Sequence, residues 1–157
     1  MVDPIIIYTD GGASGNPGPG GYGVVMKYRD YVKEFSGGFV RTTNNRMELL
    51  GVIVALENLK TYELPVRIYT DSRYVVDAIE KGSLNNWVQK QFNKTKNPDL
   101  WKRFLLIYKR IPDVKFVWVK GHAGNVLNER ADRLAVAAYN QPNLQVDGGY
   151  EHQEDLL

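Results

Sequence analysis

Two runs of four residues in this chain are identical, Ile7-Tyr8-Thr9-Asp10 and Ile68-Tyr69-Thr70-Asp71. Each is β-branched and aromatic, as strands are, and each ends on an acid. If the two runs are parallel neighbours in register, Asp10 and Asp71 stand at one height at the C-terminal edge of a sheet. In open α/β sheets that edge receives the ligand, at the point where strand order reverses. Two carboxylates ~4 Å apart repel by about 4 kcal/mol at an effective dielectric of ~20. They coexist only with a shared proton or a bound cation.

Further acids fall into the same pattern. Glu48 lies on a helical stripe with Val52, Ala55 and Leu59, and a carboxylate on a core-facing stripe needs a partner. Asp132 sits about one turn into a terminal helical pattern, with Ala135 and Val136 as its inward neighbours. Four oxygen donors from four elements suit hard divalent cations, Mg²⁺ or Mn²⁺, rather than zinc. Carboxylates that bridge two such ions serve in-line displacement at phosphorus. His122, in the loop Lys120-Gly121-His122-Ala123-Gly124, can exchange protons near neutral pH.

Each signal also has a plain alternative. The repeated run uses ordinary strand formers. Asp71 could cap the helix that follows it, and Asp132 could pair with Arg130 or Arg133. The glycine-rich run 11–21 lacks the Gly-Lys-Ser/Thr of a nucleotide-binding loop and reads as a turn. Jointly, the four acids and the histidine are more specific than any one of them.

The elements that must carry these residues follow from periodicity. Ile5–Asp10 is a strand that ends at the glycine-rich turn. Two strands flank Arg29-Asp30 as a hairpin. From Thr42 the period changes to that of a largely buried helix with Thr and Asn capping candidates. Then come the strand 65–71 and a helix closed by Gly82. A helical stretch around Trp87 follows, then a helix with Asn97 as cap and Pro98 at its first position. Last come the strand 114–119 and a helix with Asn128 as cap. The order β-β-β-α-β-α-α-α-β-α implies a three-stranded antiparallel meander plus two parallel strands, a mixed sheet in one α/β domain. The domain is expected over residues 1–141, with 142–157 a mobile acidic tail.

A chain of 157 residues suits one domain with a core of its own. It has no cysteine, which excludes disulfides, thiolate metal sites and cysteine nucleophiles and agrees with a cytoplasmic location. The N-terminus reads as carrying no signal peptide, and no run reaches the ~18 apolar residues of a membrane span. Net charge is +2, but eight basic residues and one acid lie between Lys81 and Arg110, interleaved with Trp87, Phe92 and Trp101. Such a stretch fits a polyanion; an ordinary solvated helix pair is the alternative.

Four segments together carry a family resemblance: YTDGGASGNPGPGGYG, TTNNRMEL, YTDSRYV and WVKGHAGNVLNERAD. In this order they resemble the type 1 ribonuclease H family in its short bacterial form, over about Ile5 to Ala138. The resemblance implies a five-stranded mixed sheet with helices on both faces. It implies a monomeric endonuclease that cuts the RNA strand of RNA–DNA hybrids, leaving 3′-hydroxyl and 5′-phosphate ends. It implies two Mg²⁺ ions, with Mn²⁺ as a substitute, held by Asp10, Glu48, Asp71 and Asp132, and His122 as the least essential catalytic group. It brings Asn16, Asn44, Asn45 and Glu48 to the minor groove and sugars. Arg41, Thr43 and Asn97 would hold a DNA phosphate, and the basic stretch with Trp87 and Phe92 would grip the DNA strand.

Two departures stand out. Arg73 replaces a glutamine common in the family, leaving its base contact open, and the stretch from Trp87 to Trp101 is short. Two rivals remain: another two-metal nuclease of this fold, of resolvase or exonuclease type, and a non-catalytic hybrid-binding module.

Overall fold

The computed structural model describes residues 2–121 and 124–151. A five-stranded sheet has the order β3-β2-β1-β4-β5, with β1 Ile5–Ala13, β2 Gly18–Tyr28, β3 Tyr31–Thr42, β4 Val66–Thr70 and β5 Val114–Trp118. The first three strands form the expected meander, and β4 lies parallel to both β1 and β5. The hairpin turns at Arg29-Asp30, as read from sequence. The helices are α1 Asn44–Glu57, α2 Arg73–Glu80, α3 Ser83–Gln89, α4 Pro98–Tyr108, α5 Val126–Tyr139 and a short α6 Gly148–Glu151.

The strands run further into the glycine-rich segment than the turn signals imply. β1 continues through Gly11 and Gly12 to Ala13, and β2 begins at Gly18. These glycines serve close packing. A Cβ on Gly11 would meet the Glu48 backbone nitrogen of α1 at 2.6 Å. A Cβ on Gly21 would meet the Ala135 carbonyl of α5 at 2.7 Å, and one on Gly23 would strike that of Ala131. Gly23 pairs with Asp10, and Gly11 with Tyr22, so neighbouring positions on β1 face opposite ways. Helix α1 therefore lies on one face and α5 on the other, each pressed against bare backbone.

The face under α1 holds the main core, which includes Ile7, Val24, Met47, Val52, Ile68, Trp101 and Phe104. Helix α5 buries Ala131, Ala135 and Ala138, small side chains that let it approach the sheet. Val136, expected to face inward, is 40% exposed, because the inward stripe of α5 runs through these alanines instead.

Two caps differ from expectation. Helix α5 is capped by Asn125, whose Oδ1 accepts from the backbone N–H of Leu127 and Asn128, so Asn128 lies inside the helix and is buried. Asp132 consequently sits nearly two turns in. Asn97 does precede α4, but in the left-handed region, and its side chain makes no capping bond. Its amide donates to the Tyr74 hydroxyl at 3.0 Å, and its Oδ1 accepts from Arg46 at 3.3 Å.

The packed structure extends beyond residue 141. Gln145 bridges β3 in parallel fashion through its N–H to Gly38 and the Val40 N–H to its carbonyl. Asp147 is buried and accepts from the Thr42 hydroxyl at 2.6 Å and from Arg46 at 2.7 and 2.9 Å. Gln145 and Asp147, beyond the expected domain end at 141, are thus bonded to β3 and α1. Residues 152–157 lie outside the described residues.

Candidate active site

The repeated tetrapeptide forms the centre of the site. Ile7 pairs with Ile68 and Tyr8 with Tyr69, so the two copies lie in register, and the tyrosine rings stack at 4.9 Å. Asp10 and Asp71 follow at the same height, where β4 ends. Carboxylate oxygens of Asp10, Glu48 and Asp71 all lie within 4.8 Å of one another. Asp132, on α5, comes close enough to Asp10 for its carboxyl to raise that of Asp10, as a proton shared between the two would.

Local structure explains each placement. Thr43 caps α1 by accepting from the Arg46 N–H at 3.2 Å, which starts the helix one turn before Glu48. Gly11 then allows α1 to settle onto β1 so that Glu48 meets Asp10. Gly11→Ala is expected to cost about 1–3 kcal/mol, because its methyl meets helix backbone rather than a movable side chain. Activity is expected to fall with it; a melting temperature and a cleavage rate equal to wild type would contradict this account. On the opposite face, the Asn125 amide donates to the Tyr8 hydroxyl at 3.2 Å and so ties the start of α5 to β1.

The plain alternatives do not hold. Ser72, not Asp71, caps α2, accepting from the Val75 N–H at 3.2 Å. Arg130 pairs with Glu34 at 2.6 and 2.8 Å rather than with Asp132.

The electrostatics are those of crowded acids. Burial, then the Asp71 charge and the hydrogen bond to Asp132, push Asp10 up to about 8, against the pull of the Gly11 N–H. Burial first, and then the charges of Asp10, Asp71 and Asp132, raise Glu48 well above the usual carboxylate range. Its Oε2 is buried without a hydrogen-bond partner among the described residues. An orphaned carboxylate oxygen facing three other acids is what a cation-binding site looks like when only protein atoms are counted.

The other predicted residues distribute as follows. His122 lies outside the described residues; a Cβ on its neighbour Gly121 would come within 2.7 Å of Asp71 Oδ2. Asn16, Thr43, Asn45 and Asn97 line one groove of 620 Å³. Asn16 Oδ1 accepts from the Asn44 N–H, and Asn44 Oδ1 from the Ala13 N–H, which locks the glycine-rich turn onto α1. Arg41 is exposed at the end of β3. The Arg73 guanidinium lies over the Trp118 ring at 3.9 Å, and the Trp118 indole donates to the Asp71 carbonyl.

Trp87 is half-buried with its ring 5.1 Å from that of Trp101, so much of it belongs to the core. Phe92 is half-buried with the Lys102 ammonium 5.8 Å from its ring. Gln91, Phe92, Lys94 and Asn97 all adopt positive φ, at about 1 kcal/mol or more each. Sequence reasoning missed Thr95 and Tyr150, which also line the groove with Lys96 of the basic stretch. Lys96 sits in the basic stretch and was legible as a charge; Tyr150 gave no signal, because its segment has no periodicity.

An open α/β sheet with a carboxylate cluster at its switch edge has the donor set of a divalent-cation site. Comparison with known proteins narrows the class. The family model for RNase H matches residues 3–140. Ribonuclease H of Desulforamulus reducens is 57% identical over 148 residues, covering 91% of this chain and 92% of that one. Ribonuclease HI of Synechocystis is 52% identical, covering 93% and 94%. Among solved structures, LC9-RNase H1, a type 1 RNase H with the type 2 active-site motif, superposes with a TM-score of 0.77 at 31% identity, covering 89% of this chain and 74% of that one. LC11-RNase H1 in complex with RNA/DNA hybrid does so with 0.66 at 33%, covering 87% and 96%. This chain belongs to the ribonuclease H family, and it is an enzyme of that kind.

Proposed function

We propose that this enzyme hydrolyses the RNA strand of RNA–DNA hybrids, leaving 3′-hydroxyl and 5′-phosphate ends, with two Mg²⁺ ions or Mn²⁺ in their place. The observation that carries the reading is the in-register pair Asp10 and Asp71 with Glu48 within 4.8 Å. The donor set fits hard cations: its described members are all carboxylate oxygens, and one is buried without a partner. When bound, the ions would activate the attacking water and stabilise the departing ribose 3′-oxygen.

The chain's own groups divide the remaining work. Asp10, crowded by the other acids, would hold the ions together with Glu48, Asp71 and Asp132. Asp71 would orient the attacking water, and Asp132 would complete the donor set from α5. Glu48, one turn after Asn44 and Asn45 on α1, would orient ligands near the ribose 2′-hydroxyl, a group that separates RNA from DNA. Asn16 would meet the minor groove, and Arg41, Thr43 and Asn97 a phosphate of the DNA strand. His122 would move a proton or assist product release. All four acids come from one chain, so a monomer suffices.

One gel tests this reading, with labelled hybrid, single-stranded RNA and duplex DNA, each with Mg²⁺ and with EDTA. Cleavage of the hybrid RNA strand alone, and only with Mg²⁺, is expected. Cutting of duplex DNA or junctions with hybrid intact would favour a resolvase- or exonuclease-type enzyme. Hybrid retained but never cut under any divalent metal would make it a binding module.

A further inference from the structure

The groove at the start of α1 has a wall that the family motifs do not include. Asn16, Thr43, Asn45, Thr95, Lys96, Asn97 and Pro98 line it together with Tyr150 of α6. None of these residues is acidic, one is cationic, and the rest of the polar set are neutral hydrogen-bonding groups. Such a lining suits a singly charged anion of a polymer backbone better than a base or a free multivalent anion.

Tyr150 reaches the groove through a built connection. Arg46, 1% exposed, donates to Asp147 at 2.7 and 2.9 Å and to Asp99 at 2.9 and 2.7 Å. It also donates to Asn97 Oδ1. One guanidinium therefore joins the first turn of α1, the first turn of α4 and the C-terminal segment, which are three of the walls. The Tyr150 and Glu151 N–H groups both donate to the Asp147 carbonyl at 3.0 and 2.8 Å, so the tyrosine is fixed three residues from the buried pair. Its hydroxyl makes no hydrogen bond among the described residues. Across the groove, the Thr95 hydroxyl is buried without a partner.

We propose that Tyr150 is a substrate-contacting residue whose hydroxyl donates to a backbone phosphate of the nucleic acid, and that the Arg46–Asp147 pair is the device that positions it. The C-terminal segment is then part of the substrate surface. The proposal rests on the nucleic-acid reading above but on none of its catalytic steps.

The test uses the full-length chain with Tyr150→Phe and Tyr150→Ala. For both, KM for hybrid is expected to rise about three- to tenfold with kcat unchanged at saturation. Hybrid affinity in EDTA, read by fluorescence anisotropy, is expected to weaken equally, which keeps the contact measurable even if catalysis fails in the wild type. A scan of single methylphosphonate linkages along each strand separates contact from mere packing. In the wild type, one linkage carries a large penalty at this groove, and in Tyr150→Phe that penalty shrinks while the others remain. An unchanged KM and affinity in both variants, or an unaltered methylphosphonate profile in Tyr150→Phe, overturns the proposal. Loss of wild-type cleavage with the anisotropy difference intact would instead overturn the catalytic reading and leave this one standing.

Discussion

Asp10→Asn is expected to lower hybrid cleavage at least about a thousandfold, ~4 kcal/mol of transition-state stabilisation, while the metal-free fold becomes more stable. The first effect follows from the central position of Asp10 among Glu48, Asp71 and Asp132. The second follows from linkage. Asp10 is raised from 3.8 to about 8, so the folded chain holds a proton that the unfolded chain releases over that window. Its contribution is complete at pH below 3.8 and is lost as pH rises toward about 8. In EDTA, the wild type should therefore melt at progressively lower temperature from pH 4 to pH 8.

An asparagine carries no charge, so the variant should lose the share of that slope due to Asp10, leaving the share of Glu48, whose carboxyl burial keeps raised. Because four acids share the repulsion, relieving one of them at pH 8 is expected to stabilise by about 2–3 kcal/mol. That corresponds to a rise of about 5–10 °C in Tm. Mg²⁺ should raise the Tm of the wild type and not that of the variant. A marked fall in Tm on substitution, or an unchanged pH slope, would mean that the acids are not crowded as described.

The second large effect is expected at Arg46, far from any bond being broken. Arg46→Ala should destabilise by about 3–5 kcal/mol, because it leaves Asp147 buried without a counter-charge. A Tm lower by about 10 °C would follow. Burial pushes Asp99 up, but the hydrogen bonds and charge of Arg46 outweigh that and hold it below the usual range, so it too loses its partner. Amide exchange at Val40 and Gln145 should accelerate more than in the sheet centre, since the C-terminal segment is released first. Protection at these two amides equal to wild type would show that the segment is held by something other than this pair.

How much of this was legible beforehand depends on the range over which each signal acts. The twin tetrapeptide specified its own register, because identical runs pair without offset, and Asp10 and Asp71 came together for that reason. Glu48 was legible from its stripe, since a carboxylate among Val52, Ala55 and Leu59 has few other uses. The helix of Asp132 begins earlier than expected: Asn125 and Asn128 are both good cap types, and Asn125 takes the position while its amide also docks on Tyr8.

The longest-range features were not legible. The acidic partners of Arg46, exposed Asp99 and buried Asp147, lie 53 and 101 residues away, and neither position announces the pairing. Asn97 looked like a cap because caps are local, yet its amide serves a tertiary network with Tyr74 and Arg46. The glycines of β1 and β2 read as turn residues for a similar reason: what selects them is the backbone of a helix laid over them, which no neighbouring residue reveals.

The paired copies in β1 and β4 behave like two scales of a vernier, useful only while their graduations coincide. Removing one residue between Ile5 and Thr9 would put β1 half a period out of phase, turn alternate side chains to the wrong face and shift Asp10 by about 3.3 Å. Length changes at the Arg29-Asp30 tip, at the far end of the sheet, leave that alignment alone. Tags, tethers and reporter insertions therefore belong at that tip, where the chain can grow without disturbing the calibration of its acids.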